Sequence, residues 1–194
     1  MNQNTPTIRP AAAEDAAAIA AIYAPYVRDT VITFEVDPPD TAEMQRRLAA
    51  VGRRYPWLVA EAQGRVLGYA YAGEHRVRAA YRWNVETAVY LDATAHRQGL
   101  GRRLYAALFA LLRRQGAYNA YGIITLPNAA SVGLHEHLGF VPVGVYRGTG
   151  YKHGAWHDVG WWELRLQPLP QQPGEPLPFP ALDPAVVRRI LLDA

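Results

Sequence analysis

The sequence predicts a mixed α/β fold in which a central sheet carries helices on both faces. Three observations indicate it. "WLVAEAQGRVLGYAYAGE" contains two strand-forming segments joined at Gln63–Gly64, which is a hairpin signal. "NVETAVYLD" is a nearly continuous apolar run with β-branched and aromatic residues, as in a buried central strand. Between Glu14 and Tyr26, apolar residues recur at the i, i+3, i+4, i+7 spacing of one helix face.

The first elements follow in order along the chain. "TIRP" from Thr7 predicts a short strand ended by Pro10, and the amphipathic helix follows it. "VITFEVDPPD" predicts an irregular loop, after which Thr41 is expected to cap a second helix ending near Arg54. The hairpin and the buried strand come next, and a third helix then begins at the end of "HRQGLG".

The rest of the chain predicts one more helix, three more strands and a tail. "AYGIITL" reads as a buried strand, and "NAASVGLHEHLGF" predicts a short helix with Asn128 as its N-cap and Gly139 as its stop. Two final strands are expected at about Val141–Arg147 and Trp156–Leu166. The folded domain is therefore expected at residues 1–166. In the tail, residues 167–194, seven prolines within 18 residues favour an extended chain, and "PAVVRRILLDA" favours one short terminal helix.

Composition restricts the classes of function. The 194 residues suit one domain with a real core. The formal net charge of +3 is too small and too scattered to indicate nucleic acid or a membrane surface as a partner. The absence of cysteine excludes disulfides, thiolate metal sites and a catalytic cysteine. "MNQNTPTIRP" lacks the charged-then-apolar pattern of a signal peptide, so a cytoplasmic location is expected.

A glycine-rich, basic loop opens directly onto a helix in "AHRQGLGRRLYAALFALLRR". Its two glycines let the backbone approach a ligand, and the helix N-terminus adds unpaired N–H donors. Arg97, Arg102 and Arg103 add full positive charges. The dinucleotide fingerprint G-x-G-x-x-G fails because its third position is Leu104, and no Gly-Lys-Ser/Thr triplet exists. The stretch predicts either a pyrophosphate cradle of neither standard type or a helix with a solvated basic face.

Four segments together resemble a known family. "HRQGLG" matches the Gln/Arg-x-x-Gly-x-Gly/Ala acetyl-CoA loop of the GNAT acyltransferases, with His96 at the first position. In order, "AAYRWNVETAVYLD", "HRQGLGRRLY", "LPNAASVGLHEHLGF" and "GYKHGAWHDVGWWEL" resemble phosphinothricin acetyltransferases and their relatives that act on methionine sulfoximine and sulfone. The resemblance covers about residues 7–166. It implies a mostly antiparallel central sheet, acetyl-CoA as acetyl donor, and a homodimer.

The resemblance also implies the cofactor contacts. Val89 and Leu91 would offer backbone groups to the pantetheine arm, as a strand edge does for an added strand. Asn128 would bond the same arm, and the glycine loop would hold the pyrophosphate. The expected cofactor-binding set is Val89, Tyr90, Leu91, Arg97, Gln98, Gly99, Leu100, Gly101, Arg102, Asn128 and Ser131.

Two residues are candidates for acid–base chemistry. Glu86 is the only carboxylate between Val85 and Leu91, where burial would raise its pKa toward the working pH, and the resemblance places the family's catalytic Glu here. Its alternative role is an edge-facing Glu paired with a nearby arginine. His135 stands where many GNAT enzymes have Tyr, and it is either a proton donor to the departing thiolate or a structural histidine. No metal site is expected, since His135 and His137 are two apart and point away from each other.

Cations near the catalytic strand predict how the substrate is held. Arginine suits bidentate binding of carboxylate or phosphinate oxygens, and "EHRVRAAYRW" contains three arginines, at least one of which is expected to be only a surface charge. Lys152, the single lysine of the chain, is a second expected anchor. By resemblance, "TFE" forms part of a substrate lid with Phe34 over the substrate side chain. The expected substrate-binding set is Thr33, Phe34, Arg76, Val77, Arg78, Tyr81, Arg82, Glu86, Thr87 and Lys152.

These observations predict an acetyl-CoA-dependent N-acetyltransferase for a small glutamate-analogue amino acid such as phosphinothricin, methionine sulfoximine or methionine sulfone. An acetyltransferase for another small amine or a protein N-terminus is an alternative, and so is a non-catalytic acyl-CoA-binding sensor. Glu86 argues against the sensor, because a pure binder has no need for a carboxylate in that strand. The apolar "VGWWEL" strand is expected to contribute to a homodimer.

Overall fold

One seven-stranded sheet forms the centre of the computed structural model, which describes residues 5–194. The strands are β1 (Thr7–Pro10), β2 (Trp57–Ala62), β3 (Arg65–Glu74), β4 (Asn84–Leu91), β5 (Asn119–Leu126), β6 (Val141–Lys152) and β7 (Ala155–Arg165). Their spatial order is β1-β2-β3-β4-β5-β7-β6. Every neighbouring pair is antiparallel except β4 and β5, which are parallel. The mixed, mostly antiparallel sheet expected from the sequence is therefore confirmed.

Helices cover both faces of this sheet, as predicted. The α-helices are α1 (Ala16–Asp29), α2 (Thr41–Gly52), α3 (Leu100–Gln115), α4 (Ala129–His137) and α5 (Pro184–Leu192). On one face, Ile19 of α1 and Met44 of α2 are buried against Val59 and its neighbours in the sheet. On the other face, the apolar stripe of α3, including Leu104 and Leu108, packs against the buried residues of the central strands. The spacing of that stripe is the one that keeps apolar side chains on one side of a helix.

Two turn and cap predictions are confirmed by the backbone. Gln63 and Gly64 have φ values of 52° and 73°, so both adopt the left-handed conformation that a two-residue hairpin turn requires. The side chain of Asn128 accepts a hydrogen bond from the Ser131 N–H at 3.1 Å and caps α4.

Two boundaries differ from the prediction. The cap of α2 is Asp40 rather than Thr41, because the Asp40 carboxylate accepts the Glu43 N–H at 2.7 Å. Strand β6 continues to Lys152 instead of ending near Arg147, because its pairing with β7 resumes after an irregularity and runs to the turn.

The proline-rich tail lies against the domain. Its extended part and its short terminal helix agree with the prediction. Gln115 at the end of α3 fixes the tail, since its side chain donates to the Leu177 carbonyl and its own carbonyl accepts the Leu177 N–H. Leu182 is buried in the core cluster on the α3 side. Within residues 5–194, no helix has both the length and the apolar character needed to cross a bilayer.

Candidate active site

The sheet opens between β4 and β5. The two strands pair only at their starts, where residues 84–86 of β4 lie beside residues 119–121 of β5. Farther along, β4 pairs with β3 up to Leu91, while β5 pairs with β7 up to Leu126. In the described part of the chain, the facing edges over residues 87–91 and 122–126 have no strand partner. This opening, the β4–β5 gap, presents backbone hydrogen-bonding groups that a ligand can use.

Val89 and Leu91 face this gap with their backbone groups. The Asp92 N–H donates to the Leu67 carbonyl of β3, and backbone groups of successive strand residues alternate between the two edges. Asp92 uses the edge that faces β3, so the N–H and C=O groups of Leu91 and Val89 are directed to the opposite edge, toward the gap. The Leu91 carbonyl already accepts the Tyr26 hydroxyl at 2.7 Å, so Val89 is the better placed of the two for a ligand.

The Tyr90 side chain lies on the other side of the sheet. Its ring packs edge-on against Tyr23 and Tyr26 of α1, with centroids 4.9 Å and 5.1 Å away. The backbone groups of Tyr90 are directed toward β3, where this residue pairs with Tyr69, so neither its side chain nor its backbone reaches the gap, in contrast to the prediction.

The glycine loop begins with a short 3-10 turn, Ala93–Ala95, and ends where α3 starts. Arg97 and Gly99 have φ values of 60° and 77°, so the chain passes twice through the left-handed region before the helix. Arg97, Gly99 and Arg102 are exposed, and the first N–H groups of α3 have no intrahelical acceptor. This is a concentration of donors and positive charge of the kind that binds phosphate.

Two parts of the loop differ from the prediction. Gly101 lies inside the first turn of α3, where an added Cβ would meet Leu134, Leu91 and Val89 at ordinary distances of 3.5–3.9 Å. Gly101 is therefore not the position where the backbone requires glycine; Gly99 is. Arg103 turns away from the loop and donates to the backbone oxygens of Pro6 and Ala194, because α3 carries it to the side where the ends of the chain meet.

His135 is buried on α4, with 4% of its surface exposed. Nδ1 lies 2.8 Å from the Ser131 carbonyl, which can only accept, so Nδ1 carries the proton. Nε2 lies 3.3 Å from the Tyr105 hydroxyl. Burial lowers the pKa of His135, so the ring is neutral at neutral pH and Nε2 is an acceptor. This geometry fits a structural role for His135 better than the role of proton donor to the departing thiolate. Ser131 contacts His135 through its carbonyl and the cap residue Asn128 through its N–H.

Glu86 is placed where the β4–β5 gap begins, opposite Tyr121 in the last paired position. About a third of its side chain (34%) is exposed, so the carboxylate is half-buried but reachable. Burial raises the pKa of Glu86 above its usual value, while a hydrogen bond from His75 and the charge of Arg76 oppose the rise. Neither a solvated surface carboxylate nor a simple ion pair would have this combination.

A cavity of about 430 Å³ is connected to Glu86 through His75, which lines the cavity and hydrogen-bonds the carboxylate. Its lining residues are His75, Arg76, Val77, Arg78 and Tyr81. Four of these five were predicted from the sequence as substrate contacts, and the structure brings them together. Both arginines of the cavity are exposed, and the guanidinium of Arg76 also lies 5.8 Å from the Trp161 ring centroid.

The predicted lid is the loop between α1 and α2. The Thr33 hydroxyl lies 2.6 Å from the Tyr23 hydroxyl. The Phe34 ring lies directly on Gly150 of β6, so close that a Cβ at Gly150 would overlap it. The loop therefore joins the α1 side of the molecule to the β6–β7 hairpin.

The chain matches a family model described as "Acetyltransferase (GNAT) domain" over residues 8–161. It belongs to the GNAT acetyltransferase family. It is 43% identical over 171 residues to a phosphinothricin N-acetyltransferase of Streptomyces viridochromogenes, covering 88% of this chain and 93% of that protein. It is 38% identical over 169 residues to an L-methionine sulfoximine/L-methionine sulfone acetyltransferase of Pseudomonas aeruginosa, covering 86% of this chain and 98% of that protein.

A solved structure agrees with this assignment. The crystal structure of a GNAT superfamily phosphinothricin acetyltransferase from Sinorhizobium meliloti in complex with acetyl-CoA is similar with a TM-score of 0.84 and 36% identity. The similarity covers 89% of this chain and 95% of that one. The family predicted from the four sequence segments is confirmed, and so is the activity class, N-acetyl transfer.

Two predicted substrate cations of this acetyltransferase have other roles in the structure. Lys152 is 7% exposed, and its ammonium donates to the Val27 carbonyl at 2.6 Å and the Thr33 carbonyl at 2.8 Å. It fastens the lid to β6 instead of reaching into the cavity. Arg82 forms an ion pair with Glu175 of the tail, because the chain turns away from the cavity after Tyr81.

Thr87, also predicted as a substrate contact, lies on the opposite face of the sheet from Glu86. It is 8% exposed, and its hydroxyl donates to the Tyr121 carbonyl at 3.4 Å. Side chains alternate along a strand, so a position next to Glu86 points to the α3 side. Within residues 5–194, no cluster of His, Asp and Glu is arranged to hold a metal ion.

His75 is the one lining residue of the cavity that the sequence analysis missed. It follows β3 by one residue and hydrogen-bonds Glu86. No local sequence pattern indicates this contact. It follows from the register of β3 with β4, in which Gly73 pairs with Glu86 and His75 lies two residues farther along.

Proposed function

We propose that this enzyme uses acetyl-CoA to acetylate the amino group of a small amino acid whose side chain ends in anionic or strongly polar oxygens. Phosphinothricin, methionine sulfoximine and methionine sulfone are the candidates. The observation that carries the proposal is Glu86, a half-buried carboxylate at the start of the β4–β5 gap and next to a cavity with two arginines. The names of the relatives from Streptomyces and Pseudomonas support the same substrate class.

The cofactor fits the residues of the gap. The backbone of Val89, the unpaired N–H groups at the start of α3 and the charges of Arg97 and Arg102 suit a pantetheine arm and a pyrophosphate. The Asn128 side-chain oxygen is used by the cap of α4, which leaves its amide nitrogen for a ligand. Acetyl-CoA supplies an activated acetyl thioester.

Glu86 acts as the general base in this proposal. The amine substrate is an ammonium ion near neutral pH and must lose a proton before it can attack. A carboxylate with a raised pKa accepts that proton more readily than an exposed one, and such a base contributes about 100-fold or more to the rate. His135 is a structural residue in this scheme, because its only ring proton is held by the Ser131 carbonyl.

Arg76 and Arg78 select the substrate class. Guanidinium groups form paired hydrogen bonds with carboxylate, phosphinate and sulfone-type oxygens, and they repel substrates that carry only further positive charge. An amino acid with a polar oxygen-rich end is therefore favoured over a polyamine or an aminoglycoside.

A thiol-release assay over a panel of amines tests the proposal. The three candidate amino acids, spermidine, kanamycin and a peptide with a free N-terminus are compared at equal concentration. We expect fastest turnover with one of the amino acids. Faster turnover of spermidine or the peptide than of all three would refute the substrate class and leave the acetyltransferase standing. Binding of acetyl-CoA without turnover of any amine would favour the sensor.

We also propose a homodimer in the cytoplasm. β6 is an edge strand, and it exposes Val141, Val143 and Tyr146, which suits contact with a second copy. The "VGWWEL" strand suggested by the sequence is β7, which lies inside the sheet next to β6. The cytoplasm is proposed because acetyl-CoA is an intracellular metabolite. A solution mass equal to one chain would contradict the dimer, and cell fractionation tests the location.

A further inference from the structure

His75 touches the proposed base directly. Its Nδ1 is 3.1 Å from Glu86 Oε1, and its side chain is only 10% exposed. The imidazole stacks face to face on Tyr121, with centroids 4.3 Å apart and an interplanar angle of 16°. Trp161 and Tyr81 stand edge-on to it at 5.9 Å and 6.1 Å. These three aromatic neighbours restrain the orientation of the imidazole ring, and they therefore also restrain the geometry of its hydrogen bond to Glu86.

The chemistry of the pair decides which atom donates. An ionised carboxylate can only accept hydrogen bonds, so the Nδ1–H of His75 donates to ionised Glu86. A hydrogen bond to an ionised acceptor is about twice as strong as one between neutral groups, and it favours the ionised form. The same bond restrains the carboxylate, because one oxygen is held on the His75 side.

We propose that His75 is a positioning residue for acetyl transfer, which orients the Glu86 carboxylate at the edge of the cavity and keeps it ionised in a half-buried site. The inference rests on the proposed role of Glu86 as the base. His75 acts through Glu86, and substitutions at His75 should therefore change the pH dependence of the reaction.

Two neighbouring groups act against the effect of burial on Glu86. Burial raises the pKa of Glu86, and the His75 hydrogen bond and the Arg76 charge oppose it. Phenols carry no charge near neutral pH. The phenols Tyr71, Tyr81 and Tyr121 also surround the pair. Beyond them, Arg78 lines the same cavity as His75, and the carboxylate of Glu163 accepts the Tyr121 hydroxyl at 3.2 Å. When the His75 bond is lost, burial is opposed by Arg76 alone, so the pKa of Glu86 rises farther.

Two matched variants test the proposal. His75→Phe keeps a ring that can stack on Tyr121 but has no donor, whereas His75→Asn loses the ring and keeps an N–H donor near the position of Nδ1. The readout is kcat/KM for the amine from about pH 5.5 to about pH 9, with acetyl-CoA binding by calorimetry as a check on folding. We expect His75→Phe to lower kcat/KM about 10-fold at neutral pH and to move the acid limb to higher pH. We expect His75→Asn to recover most of the activity and the original limb, with acetyl-CoA affinity unchanged in both.

A double-mutant cycle separates the possible failures. Added to Glu86→Gln, the His75→Phe change should cause no further loss, because two residues that act as a unit are not additive. The positioning role is overturned if the acid limb of His75→Phe does not move, or if kcat/KM of His75→Asn is no higher than that of His75→Phe. In either case, an inactive Glu86→Gln still supports Glu86 as the general base. Full activity of Glu86→Gln would overturn both. If His75→Phe does not fold, His75→Leu provides the same donor-free comparison.

Discussion

Replacing Lys152 with Met is expected to destabilise the protein and loosen the lid. The Lys152 ammonium holds the carbonyls of Val27 and Thr33 at 2.6 Å and 2.8 Å, and the residue is 7% exposed. Methionine keeps the length and the apolar stem of the side chain but has no donor. Both carbonyls therefore lose a charged partner at the place where the end of α1 and the lid meet β6.

The expected loss follows from these two bonds. A hydrogen bond to a charged group contributes about 1.5–3 kcal/mol, so the pair contributes roughly 3–6 kcal/mol. Part of this lost stability is regained, because Lys152→Met also removes the cost of burying a charged ammonium. Burial lowers the pKa of Lys152 for the same reason. We expect a net decrease of roughly 2–3 kcal/mol in the free energy of unfolding. For a chain of this size, that corresponds to a decrease in Tm of about 4–12 °C.

Urea unfolding followed by tryptophan fluorescence measures this loss. Arg114→Met is the matched control, since it removes one positive charge from an exposed position on α3. Steady-state kinetics should also show a higher KM for the amine in Lys152→Met and little change in KM for acetyl-CoA. Equal unfolding midpoints for the two variants would refute the fastening role of Lys152.

Three further predictions concern the loop, the cavity and the base. Gly99→Val forces a β-branched residue to a φ of 77°, at a cost of roughly 1–2 kcal/mol. Calorimetry should therefore show weaker acetyl-CoA binding by Gly99→Val than by Gly101→Ala. Equal affinities would count against the glycine loop as the pyrophosphate-binding site. Arg76→Ala should raise KM for the amine about 10-fold, while Arg82→Ala should change it less than about twofold, and the reverse order would exclude Arg76 as the substrate anchor. Since burial raises the pKa of Glu86, kcat/KM should fall with decreasing pH along an acid limb that lies at higher pH than an exposed glutamate would give, and a limb at or below the position for an exposed glutamate would contradict a half-buried base.

Features that depend on a few neighbouring residues could be predicted from the sequence. The hairpin turn at Gln63–Gly64 and the Asn128 cap each rest on local backbone chemistry, and both are confirmed. The apolar run of β4 identified a central strand and the carboxylate in it. Asp40 and Thr41 are both good capping residues, so sequence alone did not separate them.

Contacts between distant segments could not be predicted in this way. Lys152 bonds to carbonyls 125 and 119 residues away, and nothing near it in sequence indicates burial. Arg82 pairs with Glu175 across 93 residues, in a segment that composition describes only as extended. His75 became visible only when the pairing of β3 with β4 brought it next to Glu86. Local pattern predicted the scaffold, and the tertiary fold assigned the roles of the charged side chains.

Glu86→Gln tests the proposed mechanism most directly. The amide keeps the shape of the side chain but cannot accept the proton of the ammonium. Under saturating substrates at neutral pH, kcat should fall about 100-fold or more, while calorimetry shows acetyl-CoA binding close to that of the unmodified enzyme. Full activity of Glu86→Gln near neutral pH would contradict the assignment of Glu86 as the general base.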